Sequence, residues 1–158
     1  MPGNEHEILT EVRRTVDGLE FLRRMITGEL PTPPLASLLG IRVIEAAEGR
    51  TVYEADPLPA FYNALGTIHG GFAATLLDTA LGAAVNTTMG PGRSYATIDL
   101  KITLLRPIRL DVGTIRCIAT TIQAGSRLAT AEARIVDAND KLYAHGTATF
   151  MTLEPPRP

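Results

Sequence analysis

Gly70-Gly71-Phe72-Ala73-Ala74-Thr75-Leu76-Leu77-Asp78-Thr79-Ala80-Leu81-Gly82-Ala83-Ala84-Val85 is an apolar run interrupted by one carboxylate. Leu76, Leu77, Ala80, Leu81, Ala84 and Val85 recur at helical spacing, so the segment from about residue 70 to 87 reads as a largely buried helix. With Asp78 at its centre the run is too short to span a bilayer. Thr75, Asp78, Thr79 and Gly82 fall on one narrow face, small and partly polar, opposite the leucines. No lysine or arginine stands within helical reach of Asp78, so its carboxylate loses hydration without a local counter-charge. Either a cation or backbone amides from elsewhere in the fold satisfy it, or the narrow face lines a cleft or a subunit boundary.

On the C-terminal side the pattern changes to strands. Residues 95–105 alternate, with Ala96, Ile98, Leu100, Ile102 and Leu104 on one face and Thr97, Asp99, Lys101 and Thr103 on the other. Residues 112–123, 127–137 and 142–153 continue as strands, separated by turn residues at 124–126 and 138–140. On the N-terminal side, residues 41–47 and 51–56 make two short strands about the turn Glu48-Gly49-Arg50, followed by a loop over 57–68. Ahead of these, Ile8, Val12, Val16, Leu19, Leu22 and Ile26 predict one amphipathic helix. Asn4 would cap it with Glu7 three residues on, and Gly28 with Pro31, Pro33 and Pro34 would end it. One buried helix facing an antiparallel meander is an α+β domain.

A chain of 158 residues suffices for one domain with its own core. The net charge of −2 provides no basic field for nucleic acid, so an anionic ligand needs a local site. The single cysteine, Cys117, lies in an apolar strand and reads as a buried thiol. A polar, acidic start argues against a secretory signal, and a reducing cytoplasm is the expected compartment.

Chemistry concentrates just before the long helix, at Asn63-Ala64-Leu65-Gly66 and Ile68-His69-Gly70-Gly71. Two glycines opening a helix leave backbone N–H groups unobstructed, and the helix dipole attracts an oxygen gaining negative charge. Asn63, Gly66, His69-Gly70-Gly71 and Asp78 match in order and spacing the Asn-x-x-Gly-x-x-His-Gly-Gly-x6-Asp signature, and here the chain resembles the PaaI-like hotdog-fold acyl-CoA thioesterases. Thr97-Ile98-Asp99-Leu100 and Leu105-Arg106-Pro107 look like that family's following strand and its terminal proline. Ala64 departs from it, where many relatives carry proline. The resemblance implies a hotdog fold, a curved antiparallel sheet wrapped around a central helix, over residues 34–153. Residues 1–30 would be an added N-terminal helical extension. It also implies hydrolysis of an acyl-CoA to the free acid and coenzyme A. The Gly70 amide and the Asn63 side chain would polarise the thioester oxygen, with His69 orienting Asn63. Asp78 would act as nucleophile or as general base for a water that Thr97 helps to position.

Helix rise adds a constraint. Gly70 and Asp78 are eight residues apart, hence roughly 12 Å along one helix, too far for both to reach one reacting carbonyl. Two such helices antiparallel across a two-fold axis would bring Gly70 of one chain to Asp78 of the other, giving two composite sites per dimer. A homo-oligomer, either a dimer or a dimer of dimers such as a homotetramer, is therefore expected.

Gly71, Phe61, Tyr62, Arg106 and Arg127 are the candidates for binding substrate, with Lys101 a further cation for coenzyme A phosphates and Leu81 and Met89 further walls for the acyl group. Beyond coenzyme A as part of the substrate, no cofactor is expected, and the spacing of His6, His69 and His145 suggests no metal site. Two other readings use the same fold. A hotdog dehydratase or hydratase needs a histidine paired with an acid, and a non-catalytic acyl-CoA binder has no need of Asp78.

Overall fold

The computed structural model describes residues 4–154. In chain order the elements are α1 (Asn4–Arg13), α2 (Gly18–Ile26), α3 (Pro34–Leu38), β1 (Arg42–Ala47), β2 (Arg50–Ala55), α4 (Gly70–Asn86), β3 (Ser94–Leu104), β4 (Ile115–Ala124), β5 (Leu128–Val136) and β6 (Leu142–Leu153). The strands form one antiparallel sheet in the order β1-β2-β4-β5-β6-β3. It wraps α4, which packs against β2 to β6. This is the hotdog arrangement.

Leu76, Leu77, Leu81 and Val85 of α4 are fully buried, and each contributes about 1.5–3 kcal/mol of apolar burial. Leu81 and Met89 belong to this core rather than to a cleft, which removes them as acyl-pocket walls. Cys117 faces the same core from β4, and burial pushes its thiol up from the ordinary range. Among the described residues no helix is long and apolar enough to cross a membrane.

The N-terminal region differs from the single helix that its periodicity predicts. The chain breaks at Asp17, whose extended backbone and side chain, accepting from the Glu20 N–H at 2.8 Å, cap a second helix. The spacing runs through the break because Leu9 of α1 and Phe21 and Leu22 of α2 all turn toward the same core. The cap expected from the Asn4 side chain falls outside the described part of the chain. The prolines do more than stop a helix, since Pro34 opens α3 at a position where a missing N–H costs nothing. α2 docks on the C-terminal end of α4: the Gly18 N–H donates to the Met89 carbonyl at 2.9 Å, and a Cβ on Gly18 would lie 1.7 Å from the Asn86 carbonyl oxygen.

β3 is an edge strand, paired only with β6. Its simple alternation fails at one point. Thr97 pairs with Phe150 and Asp99 with the adjacent Thr149, leaving Ile98 as the extra residue of a bulge. The bulge shifts the phase by one, so Thr97 shares the inner face with Leu100 and Ile102, while Ile98 is 52 % exposed.

Candidate active site

The loop before α4 is a tight Ω-like turn built on Asn63. Its side-chain Oδ1 accepts from the Leu65 N–H at 2.8 Å and the Thr67 N–H at 3.3 Å, while Nδ2 donates to Thr67 Oγ1 at 2.9 Å. Gly66 sits at φ 77°, a left-handed conformation that glycine adopts without strain. The loop is anchored by the Ile68 N–H to the Ile108 carbonyl and the His69 N–H to the Phe61 carbonyl. An amide nitrogen carries two hydrogens, so Asn63 keeps one donor beyond its bond to Thr67.

His69 is the N-cap of α4, with Nδ1 accepting from the Gly71 N–H at 2.9 Å. That bond places a neutral ring's proton on Nε2. It also replaces the contact expected from the family pattern: no bond joins His69 to Asn63 among the described residues, because the cap claims the ring and Thr67 claims the amide. The Gly70 N–H has no protein acceptor among the described residues. Gly70 lies close under Leu104, where an added Cβ would be 2.7 Å from Leu104 Cδ1 and would push that side chain aside.

Two depressions meet at this helix end. One, of about 230 Å³, is lined by Asn63, Thr67, His69, Gly70, Leu104 and Arg106. The other, of about 350 Å³, is lined by Leu39, Phe61, Tyr62, His69, Gly71 and Thr75. Phe61 stacks on Phe72 of α4 with ring centroids 4.7 Å apart, which fixes the apolar wall of the second. A larger depression, about 650 Å³, includes Glu132, Arg134, His145 and Thr147 on the opposite face of the sheet and contains none of the predicted residues.

Asp78 lies two turns further along α4, half-buried. Its Oδ1 accepts from Thr97 Oγ1 at 3.0 Å, and no lysine, arginine or histidine among the described residues comes within ion-pair distance. Tyr95 closes one side: its ring lies against Gly82, where a Cβ would be 2.6 Å from the ring, and meets Phe150 edge-on at 5.4 Å. Burial, with the Asp78 charge adding to it, pushes the Tyr95 hydroxyl up to about 12, so it stays protonated at neutral pH.

The fold thus brings Asn63, His69, Gly70 and Arg106 to one cleft, Gly71, Phe61 and Tyr62 to its neighbour, and Asp78 with Thr97 to a separate patch. Arg127 is placed elsewhere. Its carbonyl accepts from the Thr152 N–H at the start of β3, whereas Arg106 follows the end of that 11-residue strand, about 35 Å away. Within one chain the two arginines cannot hold the same phosphate. Lys101 is exposed and pairs with the exposed Thr147, facing away from α4. Thr67, Tyr95 and Leu104 were not singled out by the sequence; of the three, only Thr67 lies in the loop that Asn63 and Gly66 mark as a turn.

A family model for the Thioesterase superfamily matches residues 65–144. A Halobacterium salinarum protein named as a candidate esterase is 36 % identical over 119 residues, 72 % of this chain and 76 % of the relative. Human acyl-coenzyme A thioesterase 13 is 30 % identical over 132 residues, 82 % of this chain and 93 % of the relative. Among solved structures, the PaaI protein of Thermus thermophilus superposes with a TM-score of 0.68 at 28 % identity, covering 75 % of this chain and 98 % of that one.

Proposed function

We propose that this chain, which belongs to the Thioesterase superfamily and is a thioester hydrolase, cleaves acyl-CoA at composite sites formed by two copies of itself. The observation that carries this reading is Asp78, a half-buried carboxylate held by one hydroxyl and by no cation among the described residues. Buried structural acids are ordinarily paired or saturated with amides. Asp78 has neither, and its Oδ2 has no partner among the described residues.

β3 has one unpaired edge, and antiparallel pairing of two such edges would continue the sheet and lay two α4 helices side by side. The Gly70 end of one helix would then face Asp78 of the other across the gap that a single helix cannot bridge. A dimer of dimers would need a second surface besides this edge. The thioester oxygen would accept from the Gly70 N–H and the second Asn63 hydrogen, which stabilise it as it gains charge. Thr97, bonded to Oδ1, leaves Oδ2 to act. Oδ2 either attacks the carbonyl carbon, expelling the thiolate and leaving an anhydride for water to open, or removes a proton from a water that attacks. His69, through its capping bond, holds the Gly70-Gly71 amides in place. No acid pairs with its ring among the described residues, as a dehydratase would need. Phe61, Tyr62 and Gly71 line the acyl side. A cytoplasmic setting suits a buried thiol and a coenzyme A substrate.

Release of free thiol from a panel of short, aromatic and medium-chain acyl-CoAs tests the reading, run on the wild type and on Asp78→Asn. Turnover by the wild type and its loss in the variant are expected. Tight binding without hydrolysis across the panel would instead identify a binder.

A further inference from the structure

We propose that a basic depression formed by Arg106, Arg109 and Lys141 holds the nucleotide phosphates of coenzyme A, an assignment that rests on the acyl-CoA reading above. The depression, of about 370 Å³, is also lined by Asp111, Asp137 and Tyr143. It adjoins the Gly70 cleft directly, because Arg106 and Pro107 line both.

These three cations line one depression, and each is without an ion pair among the described residues. The seven ion pairs among the described residues engage Arg24, Arg42, Arg50, Arg93 and Arg116, and none engages Arg106, Arg109 or Lys141. Arg106 spends one nitrogen on the Leu142 carbonyl, which fixes its guanidinium at the boundary of the two depressions. The Lys141 ammonium stands 5.8 Å above the Tyr143 ring. Asp137, the buried acid of the wall, is already committed: it accepts from the Asn139 N–H at 2.8 Å, the Lys141 N–H at 3.1 Å and the Tyr143 hydroxyl at 3.3 Å. Asp111 is the one exposed carboxylate of the wall, so three cations stand against a single acid free to answer them.

The placement also orients the substrate. On the Gly71 side of the helix end the walls are Leu39, Phe61 and Tyr62, suited to an acyl group. On the Gly70 side they lead to Arg106 and onward. Arg106 and Arg109 are three residues apart, at most about 11 Å of extended chain, a span over which a pantetheine arm can carry phosphates away from the thioester. Arginine and lysine together supply the forked and point-charge donors that a diphosphate and a sugar phosphate accept.

Calorimetric titration with coenzyme A and with pantetheine, which lacks every phosphate, tests the assignment on the wild type and on Arg109→Ala/Lys141→Ala. Both side chains are exposed, so the double variant keeps the fold. The wild type should bind coenzyme A at least about tenfold more tightly than pantetheine, with the difference shrinking as salt rises. The variant, which keeps Arg106, should lose most of that preference and leave pantetheine affinity unchanged. A variant that retains the full coenzyme A preference overturns the assignment while leaving the thioesterase reading intact. A wild type that binds neither molecule and hydrolyses no acyl-CoA overturns that reading as well.

Discussion

Thr97 Oγ1 donates a 3.0 Å hydrogen bond to Asp78 Oδ1, and it reaches the carboxylate because Ile98 bulges out of the ladder immediately after it. Without the bulge, Thr97 would share a face with Asp99 and Lys101 and point away from α4. Replacing Thr97 by Val keeps shape and strand propensity but removes the donor to a charged oxygen. We expect kcat to fall roughly tenfold to a hundredfold with KM little changed, and Thr97→Ser to recover most of it. Asp78→Asn, which removes the oxygen proposed to react, should cost at least about a hundredfold in kcat. Steady-state thiol release measures all three.

Mixed dimers separate a shared site from one contained in a single chain. A dimer of one Asp78→Asn chain and one Gly70→Val chain has one doubly damaged and one intact composite site, so about half the wild-type kcat per dimer is expected. Sites within one chain would leave such dimers inactive. Differently tagged chains, purified as the hybrid and assayed directly, give the answer.

Thr67 positions Asn63 through Nδ2 without lining up as a reacting group itself. Thr67→Val removes the Nδ2 bond and leaves Asn63 held only through Oδ1, so kcat should drop by up to about tenfold while thermal stability moves by no more than about 1 kcal/mol. Asn63→Ala should lower kcat further, since it removes the donor as well as its orientation. Thermal melts beside kinetics distinguish the two effects.

Two glycines are required by close approach rather than by turn geometry. Gly18→Ala forces a methyl onto the Asn86 carbonyl, a backbone group that cannot swing aside, so α2 must leave α4 at a cost of at least about 3 kcal/mol. Gly82→Ala meets the Tyr95 ring, and a loss of about 1–3 kcal/mol is expected, relieved when Tyr95 is also replaced by Leu. Urea unfolding of the single and double variants checks both.

Asp137 links stability to acid. Burial pushes its carboxyl up, but the Lys141 and Asn139 amides and the Tyr143 hydroxyl outweigh that and hold it below the usual aspartate value. A carboxyl lowered in the folded state contributes stability that is fully present above the unfolded pKa, near 4, and is lost as pH falls through the folded value. The wild type should therefore melt above Asp137→Asn at pH 5 to 7, and the gap should close toward pH 2. A gap independent of pH would contradict this.

Periodicity alone fixed the identity of α4, most strand limits to within a residue or two, and the isolation of Asp78 from any cation on its own helix. Hydrophobic spacing reports which residues face a core, and α4 has only one way to bury so many leucines and alanines. The Asn63-to-Asp78 spacing also pointed to the neighbourhood proposed here as reactive. What the chain could not announce were effects of register and approach. A bulge at Ile98 is decided by how β3 meets β6, and the break at Asp17 is hidden because both N-terminal helices turn their apolar residues to the same core. His69 capping α4, Thr67 holding Asn63 and Arg127 standing a strand's length from Arg106 all depend on distances between residues that share no sequence period. Local side-chain chemistry is written along the chain, whereas which groups meet is settled only when the sheet closes over the helix.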